Sequence, residues 1–369
     1  MQRLHRRGFL ALGATACFSQ APIHAAGNPV RSVNVAPPVP VGDNAGDTWV
    51  AAWLPDGSLY SPSNDTKGFR NAGSGNIAFN RIDGQDPLHL SGTTVNYMPD
   101  YGVENREGPD GCTWKSSGCT AVGNEIYWVV ARHKYGEKSG DRYRRQTAAN
   151  ASIIKTSDGG KTWTRGAKEN YEKPMFPGSH FATPYFIEYA RASLRGVDNA
   201  DRFVYATSNN GFWDNGDSTV LGRVRRERIG ALNGADWEYF TGGDGLSDAS
   251  WTRDAAQAKA VIDSPGRLGM TGAIYAATRR RYVMINWYYP AGGGKMPGAS
   301  KETVWDFYEA PHPWGPWASV SSHKFTPQGF YCPEISPKFQ QGDRLYVFAA
   351  GDWHDPSFYR LTVVPVELG

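Results

Sequence analysis

Two aspartates flanking a tight turn are the most chemically suggestive feature of this chain. Asp56-Gly57 joins two β-rich runs, and a two-residue turn there pairs positions whose numbers sum to about 113. Asp47 and Asp65 then fall nearly opposite each other. Facing or diagonal positions on neighbouring strands bring side chains within roughly 5 to 8 Å. Two carboxyl groups at that range split their roles, one keeping its proton while the other stays ionised. Glycosidic-bond cleavage needs that split: an acid for the leaving oxygen, and a base or nucleophile for the sugar carbon. The competing reading makes Asp47 a strand cap and Asp65 an Asx turn before Gly68.

Further groups stand in the loops that follow each second strand of a repeated pattern. They include Arg132, His133, Asn210, Trp213, Trp287, Asp352 and His354, with Glu334 just before a first strand of the last repeat. Aromatic rings stack on the apolar faces of sugars, while Asp, Asn, Arg and His satisfy hydroxyls, so these positions are read as substrate-binding. Glu334 and Asp352 are also alternative acids or bases. His133 and His354 have the competing reading of ordinary hydrogen-bonded loop histidines. The run Gly292-Gly293-Gly294-Lys295 lacks phosphate-loop spacing and reads as a plain loop.

The elements that must position these groups form a five-fold repeat. Second strands are expected at 57–60, 124–130, 201–205, 281–285 and 343–348, preceded by first strands at 49–54, 119–122, 184–189, 272–277 and 335–339. Third strands follow at 76–82, 151–155, 219–224, 303–308 and 358–364, and fourth strands show at 162–164, 236–239 and 317–320. The last repeat runs out of chain, so residues 31–35 are expected to supply its missing strand. Radial sheets of about four strands around a channel make a propeller. The fold class is therefore all-β, a five-bladed β-propeller occupying residues 27–369 as one domain. The segment Ser157-Asp158-Gly159-Gly160-Lys161-Thr162-Trp163 has the Asp-box pattern with one residue fewer. It is read as a hairpin on the outside of the ring, hence as scaffold. The stretch 310–317 is read the same way.

Composition agrees with a strand-rich chain: 13% of its 369 residues are aromatic, and 43 Gly with 24 Pro supply turns. A net charge of +3 argues against a nucleic-acid partner. Arg6-Arg7-Gly8-Phe9-Leu10, a short apolar run and Ala25-Ala26 form a twin-arginine type export signal over residues 1–26, too short to span a bilayer. A periplasmic or secreted location follows, the runner-up being a lipoprotein acylated at Cys17. Outside that segment lie Cys112, Cys119 and Cys332. An oxidising compartment would join two of them, Cys112 to Cys119 or Cys119 to Cys332, and leave one thiol free. No cysteine zinc or HExxH spacing occurs, so any metal would be oxygen-bound, with Ca2+ in the central channel left open.

Taken together, the motifs resemble a known group. They are Asp47-Thr48-Trp49 with Asn64-Asp65-Thr66, residues 156–163 and 209–217, Pro313-Trp314-Gly315-Pro316-Trp317, and Tyr359-Arg360-Leu361-Thr362-Val363. The chain resembles exported bacterial five-bladed propellers known as a domain of unknown function, some of which are endo-D-arabinanases. The resemblance implies a glycoside hydrolase with its paired aspartates at Asp47 and Asp65. Ser61-Pro62-Ser63-Asn64 departs from the apolar and glycine residues expected before the second aspartate. The leading expectation is an exported, monomeric, polysaccharide- or oligosaccharide-cleaving enzyme of arabinanase type. Its rivals are a non-catalytic glycan-binding propeller and a sialidase-like hydrolase.

Overall fold

The computed structural model describes residues 27–70, 72–103, 106–135, 145–290, 300–352 and 355–369. Regular structure is almost entirely β-strand, with one six-residue α-helix among the described residues, α1 (Ala167–Glu172). It opens with β1 (Val33–Val35) and β2 (Val39–Pro40), which wait for partners at the far end of the sequence.

Antiparallel meanders follow in sequence order. The first holds β3 (Asn44–Asp47), β4 (Ala52–Trp53), β5 (Leu59–Phe69), β6 (Gly75–Asp83) and β7 (Ser91–Asn96). The second holds β8 (Thr113–Val122), β9 (Glu125–Lys134) and β10 (Thr147–Thr156). The third holds β11 (Tyr185–Glu188), β12 (Phe203–Asn209), β13 (Gly216–Arg225), β14 (Trp237–Phe240), β15 (Trp251–Thr252) and β16 (Ala260–Leu268). The fourth holds β17 (Ala273–Ala276), β18 (Arg281–Tyr288), β19 (Thr303–Ala310) and β20 (Ala318–Phe325). The fifth holds β21 (Tyr331–Ile335), β22 (Arg344–Ala350) and β23 (Thr362–Leu368), completed by β1 and β2 against β23.

Neighbouring meanders meet mainly through their first strands. β5 lies against β8, β8 against β11, β11 pairs in parallel with β17, β17 lies against β21, and β22 returns to β3. Radial sheets touching at their inner strands are the arrangement of a β-propeller. Between the sheets sits an aromatic core in which Trp49, Trp128, Trp237, Trp287 and Trp305 are almost wholly buried. The Ser157–Trp163 turn belongs to that scaffold. Asp158 accepts the amides of Lys161 and Thr162 at 3.0 Å, and Trp163 packs edge-on against Phe79 and Trp128.

The elements differ from expectation where particular residues interrupt a ladder. The first strand of the first meander is split into β3 and β4, because Thr48 adopts a positive φ of 56°. In the last meander the first strand is β21 and stops at Ile335, since Pro337 has no amide for a ladder. Its third strand lies four residues later than expected, as β23. Residues 162–164 form only an isolated bridge, Lys155 to Thr164, and β7 is a fourth strand that the sequence pattern did not reveal. The disulfide expectation is corrected: none of Cys112, Cys119 and Cys332 is joined in a disulfide. Cys112 precedes β8 and Cys119 lies seven residues along it. Extended chain carries them about 20 Å apart, far beyond the reach of an S–S bridge.

Candidate functional site

The first hairpin brings the two predicted aspartates to one place, with a register different from the one expected. Near the turn the pairing is Trp53 to Leu59 and Ala52 to Tyr60, but a bulge between Ala45 and Asp47 sets Asp47 opposite Asn64. Asp65 is therefore one residue beyond the facing position, with a φ of 40°. Bulges re-aim side chains in this way. Without the bulge, adjacent positions would point to opposite faces of the sheet.

Hydroxyl groups surround Asp47. Thr48 Oγ1 donates to Oδ1 at 2.9 Å, Tyr331 donates to Oδ2 at 3.0 Å, and the Tyr359 hydroxyl stands 3.3 Å from the same oxygen. The Tyr359 hydroxyl also lies 3.0 Å from the Asp65 carbonyl oxygen, so one phenol spans both aspartates. Two donors, with the Tyr359 proton shared between the two aspartates, suit an acceptor-only carboxylate. Asp65 takes a different partner set: Lys115 from β8 forms an ion pair with Oδ1, and Tyr135 donates to Oδ2 at 3.0 Å. The Lys115 side chain is 4% exposed and that of Asp65 16%. Burial alone would lower the Lys115 pKa, but the charges of Asp65, Tyr135 and Asp47 outweigh it and hold the ammonium above its ordinary range. The phenol of Tyr135 is pushed up by burial, against the pull of Lys115.

The other predicted positions divide into those at this rim and those turned elsewhere. His133 is buried, its Nε2 2.9 Å from Gln146 Oε1, and its ring meets Tyr135 and Trp213 edge-on. Asp214 accepts the Gln146 amide at 2.8 Å and thereby ties the second meander to the third. Asp352 is buried at the end of β22, where it acts electrostatically on Tyr289 together with Asp214 and Asp47. Arg132 turns away to Asp110 and to the Cys112 carbonyl, under the rings of Trp114 and Tyr171. The expectation of exposed aromatics is corrected at two positions. Trp213 is 3% exposed, and Trp287 is fully buried with its indole donating to the Met270 carbonyl, because both fill the space between sheets. Asn210 is exposed, its backbone amide bonded to Ser218. His354 lies outside the described residues, as do residues 1–26 and the run 292–295.

Glu334 sits deeper. It is buried on β21, and loss of solvent together with the charge of Glu188 pushes its carboxyl well above the usual range, against a hydrogen bond from the Gly272 amide. Tyr185 lies between the two levels, feeling Cys332, Glu334 and Asp47. Among the described residues no three His, Cys, Asp or Glu side chains gather as a metal-ligand group.

Sequence reasoning missed Lys115, Tyr331 and Tyr359 as members of the site. Lys115 and Tyr331 stand on strands of the second and fifth meanders and Tyr359 precedes β23, so no local spacing connects them to Asp47. The Asp56-Gly57 turn was the one signal that linked partners within a single hairpin.

No protein-family model and no curated protein matches the sequence. Solved structures align with the chain. A Bacteroides ovatus protein described as a candidate hydrolase aligns with a TM-score of 0.53 at 15% identity, over 89% of this chain and 86% of that one. A GH43B protein of a Bacteroides ovatus xyloglucan locus aligns with a TM-score of 0.48 at 12% identity, over 92% and 56%. A Bacillus halodurans xylan β-1,4-xylosidase gives 0.48 at 8%, over 88% and 54%. This chain spans little more than half the length of the last two.

Proposed function

We propose that this chain is an exported, five-bladed propeller that hydrolyses a polysaccharide of arabinan type, with Asp47 and Asp65 as its catalytic pair. The observation that carries the reading is the Tyr359 hydroxyl lying between the Asp47 carboxylate and the Asp65 backbone carbonyl, with Lys115 and Tyr135 on the Asp65 carboxylate. Asp47, ringed by hydroxyl donors, serves as base or nucleophile. Asp65, held as a carboxylate by Lys115, is the candidate for proton delivery after it takes a proton from the Lys115 ammonium or from solvent as substrate separates the pair. His133, Asp352, Trp213 and Glu334 are buried side chains assigned to support the site, with Asn210 an exposed candidate for substrate contact.

The test is a screen against arabinans and other plant and cell-wall glycans, read by product analysis, for wild type, Asp47→Asn and Asp65→Asn. The expected loss is about 10²–10⁴-fold for each variant. Rescue of Asp65→Asn by substrates with good leaving groups would mark it as the acid, and azide rescue of Asp47→Asn would mark the nucleophile. Folded variants that retain full activity overturn the assignment. One observation favours a non-catalytic glycan-binding propeller instead: the Asp65–Lys115 ion pair already satisfies a group that catalysis requires. Glycan binding without release of any product would support that rival.

A further inference from the structure

A second polar cleft lies at the opposite end of the strands. The turn that joins β17 to β18 contributes Arg280 and Arg281, whereas Tyr289, beside the aspartates, follows the other end of β18. Eight residues of extended chain separate them, about 25 Å at the usual strand rise. The cleft has a volume of about 650 Å³, within the range of small-molecule sites. It is lined by Arg195, Asp198, Tyr275, Arg280, Arg281 and His312, among others.

Its polar groups are held in a definite order. Asp198 is buried, and the Tyr282 hydroxyl donates to its Oδ2 at 2.9 Å. Its Oδ1 lies 2.7 Å from His312 Nδ1, and the imidazole is stacked on Trp314 with an interplanar angle of 8°. A buried carboxylate bonded to one ring nitrogen fixes the orientation of a histidine and leaves the other nitrogen for a ligand. The His312 side chain is 35% exposed, which gives Nε2 access to the cleft. Arg281 is balanced by Glu309, 3.4 Å from its Nε. Arg195 and Arg280 are exposed, and neither forms an ion pair with any described carboxylate. Asp198 is shared with His312 and Tyr282, so the cleft keeps an excess of positive charge.

We propose that this cleft binds a small oxyanion-bearing ligand, a carboxylate or phosphate group held by Arg195, Arg280 and the doubly protonated form of His312. Guanidinium groups present paired donors matched to such planar or tetrahedral anions. Tyr275, packed against Tyr189 and Tyr282, offers an apolar wall for the body of the ligand. The site stands independently of the aspartate rim, and no residue is common to the two.

Isothermal titration of the full chain at low ionic strength with inorganic phosphate, glucuronate and neutral glucose tests the proposal. One-to-one binding of phosphate or glucuronate, with none of glucose, is the expected result. Binding of phosphate alone would identify a phosphate ester as the ligand, and binding of glucuronate alone an organic acid. Arg195→Ala, Arg280→Ala and His312→Gln should each weaken binding by about tenfold or more, while Lys259→Ala, an exposed cation elsewhere, should not. Asp47→Asn should bind the anion as wild type does, so failure of the catalytic reading and failure of this one are separable. Absence of binding by both anions, equal binding of glucose, or an equal loss in Lys259→Ala would overturn the proposal.

Discussion

At the residue scale the proposed chemistry rests on how two aspartates are partnered rather than on their separation. Asp47 is held by hydroxyls and Asp65 by a buried ammonium, so exchanging either for a neutral side chain has different structural costs. Removing one member of a buried ion pair leaves the other charge uncompensated, at about 3–5 kcal/mol. Asp65→Asn should therefore lower stability as well as activity, and Lys115→Met should do the same. The double variant should recover much of the stability and none of the activity. Chemical denaturation of the two single variants and the double variant, read beside turnover, separates the structural role of Asp65 from the catalytic role proposed for it. Additive losses of stability would mean that the pair does not interact.

At the element scale two pH effects of opposite sign are built into the sheets. Asp158 is lowered to about 2, chiefly by the Thr162 hydroxyl and by backbone amides, against an ordinary value of 3.8. Its contribution is present above 3.8 and lost as pH falls towards 2. Asp158→Ala should lower the melting temperature near neutrality and leave glycan turnover unchanged, since the turn touches Phe79 and Trp128 and not the rim.

Glu188, at the end of β11, behaves in the reverse sense. Its side chain is partly buried with Oε1 fully enclosed, and burial raises its pKa from 4.5 to about 7, against Thr120 and Arg226. Between those values the folded chain holds a proton that the unfolded chain has released. Stability is therefore complete below 4.5 and falls as pH rises through 7, by roughly 3 kcal/mol for a shift of this size. Glu334 is shifted in the same direction. Melting curves at pH 5 and pH 8 should show a drop in wild type and a shallower one in Glu188→Gln. An unchanged slope would show that Glu188 does not titrate in this window.

At the scale of the whole molecule the ring depends on its ends. β1 pairs Val33 with Leu368 and Val35 with Val366, so the start of the described chain covers the last strand and protects an otherwise open edge. Deleting residues 27–35 would expose Val366 and Leu368, which are 1% and 3% accessible in the intact chain. A loss of about 3 kcal/mol or more is expected from that surface, together with aggregation. Calorimetry and light scattering of the shortened chain check this. Unaltered melting would place closure elsewhere in the ring.

Much of this architecture was legible locally. Alternating β-rich runs and turn residues marked the second strand of every meander, and the missing partner of the last sheet pointed to residues 31–35. These signals are short-range, because a strand's alternation and a turn's glycine are properties of neighbouring residues. The errors also have local causes: a positive φ at Thr48 split one strand, and Pro337 ended another early.

The site itself was legible only as far as one hairpin reaches. The sequence by itself determined that Asp47 and Asp65 would lie on adjacent strands of one hairpin, whereas the bulge between Ala45 and Asp47 set their register. The tertiary structure alone decided that Lys115 would neutralise one of them, that Tyr331 and Tyr359 would hold the other, and that Trp287 would be core rather than a sugar platform. Those contacts span up to 312 residues of chain. Such partners meet only when the sheets are arranged around a common axis, and no spacing along the sequence encodes that meeting.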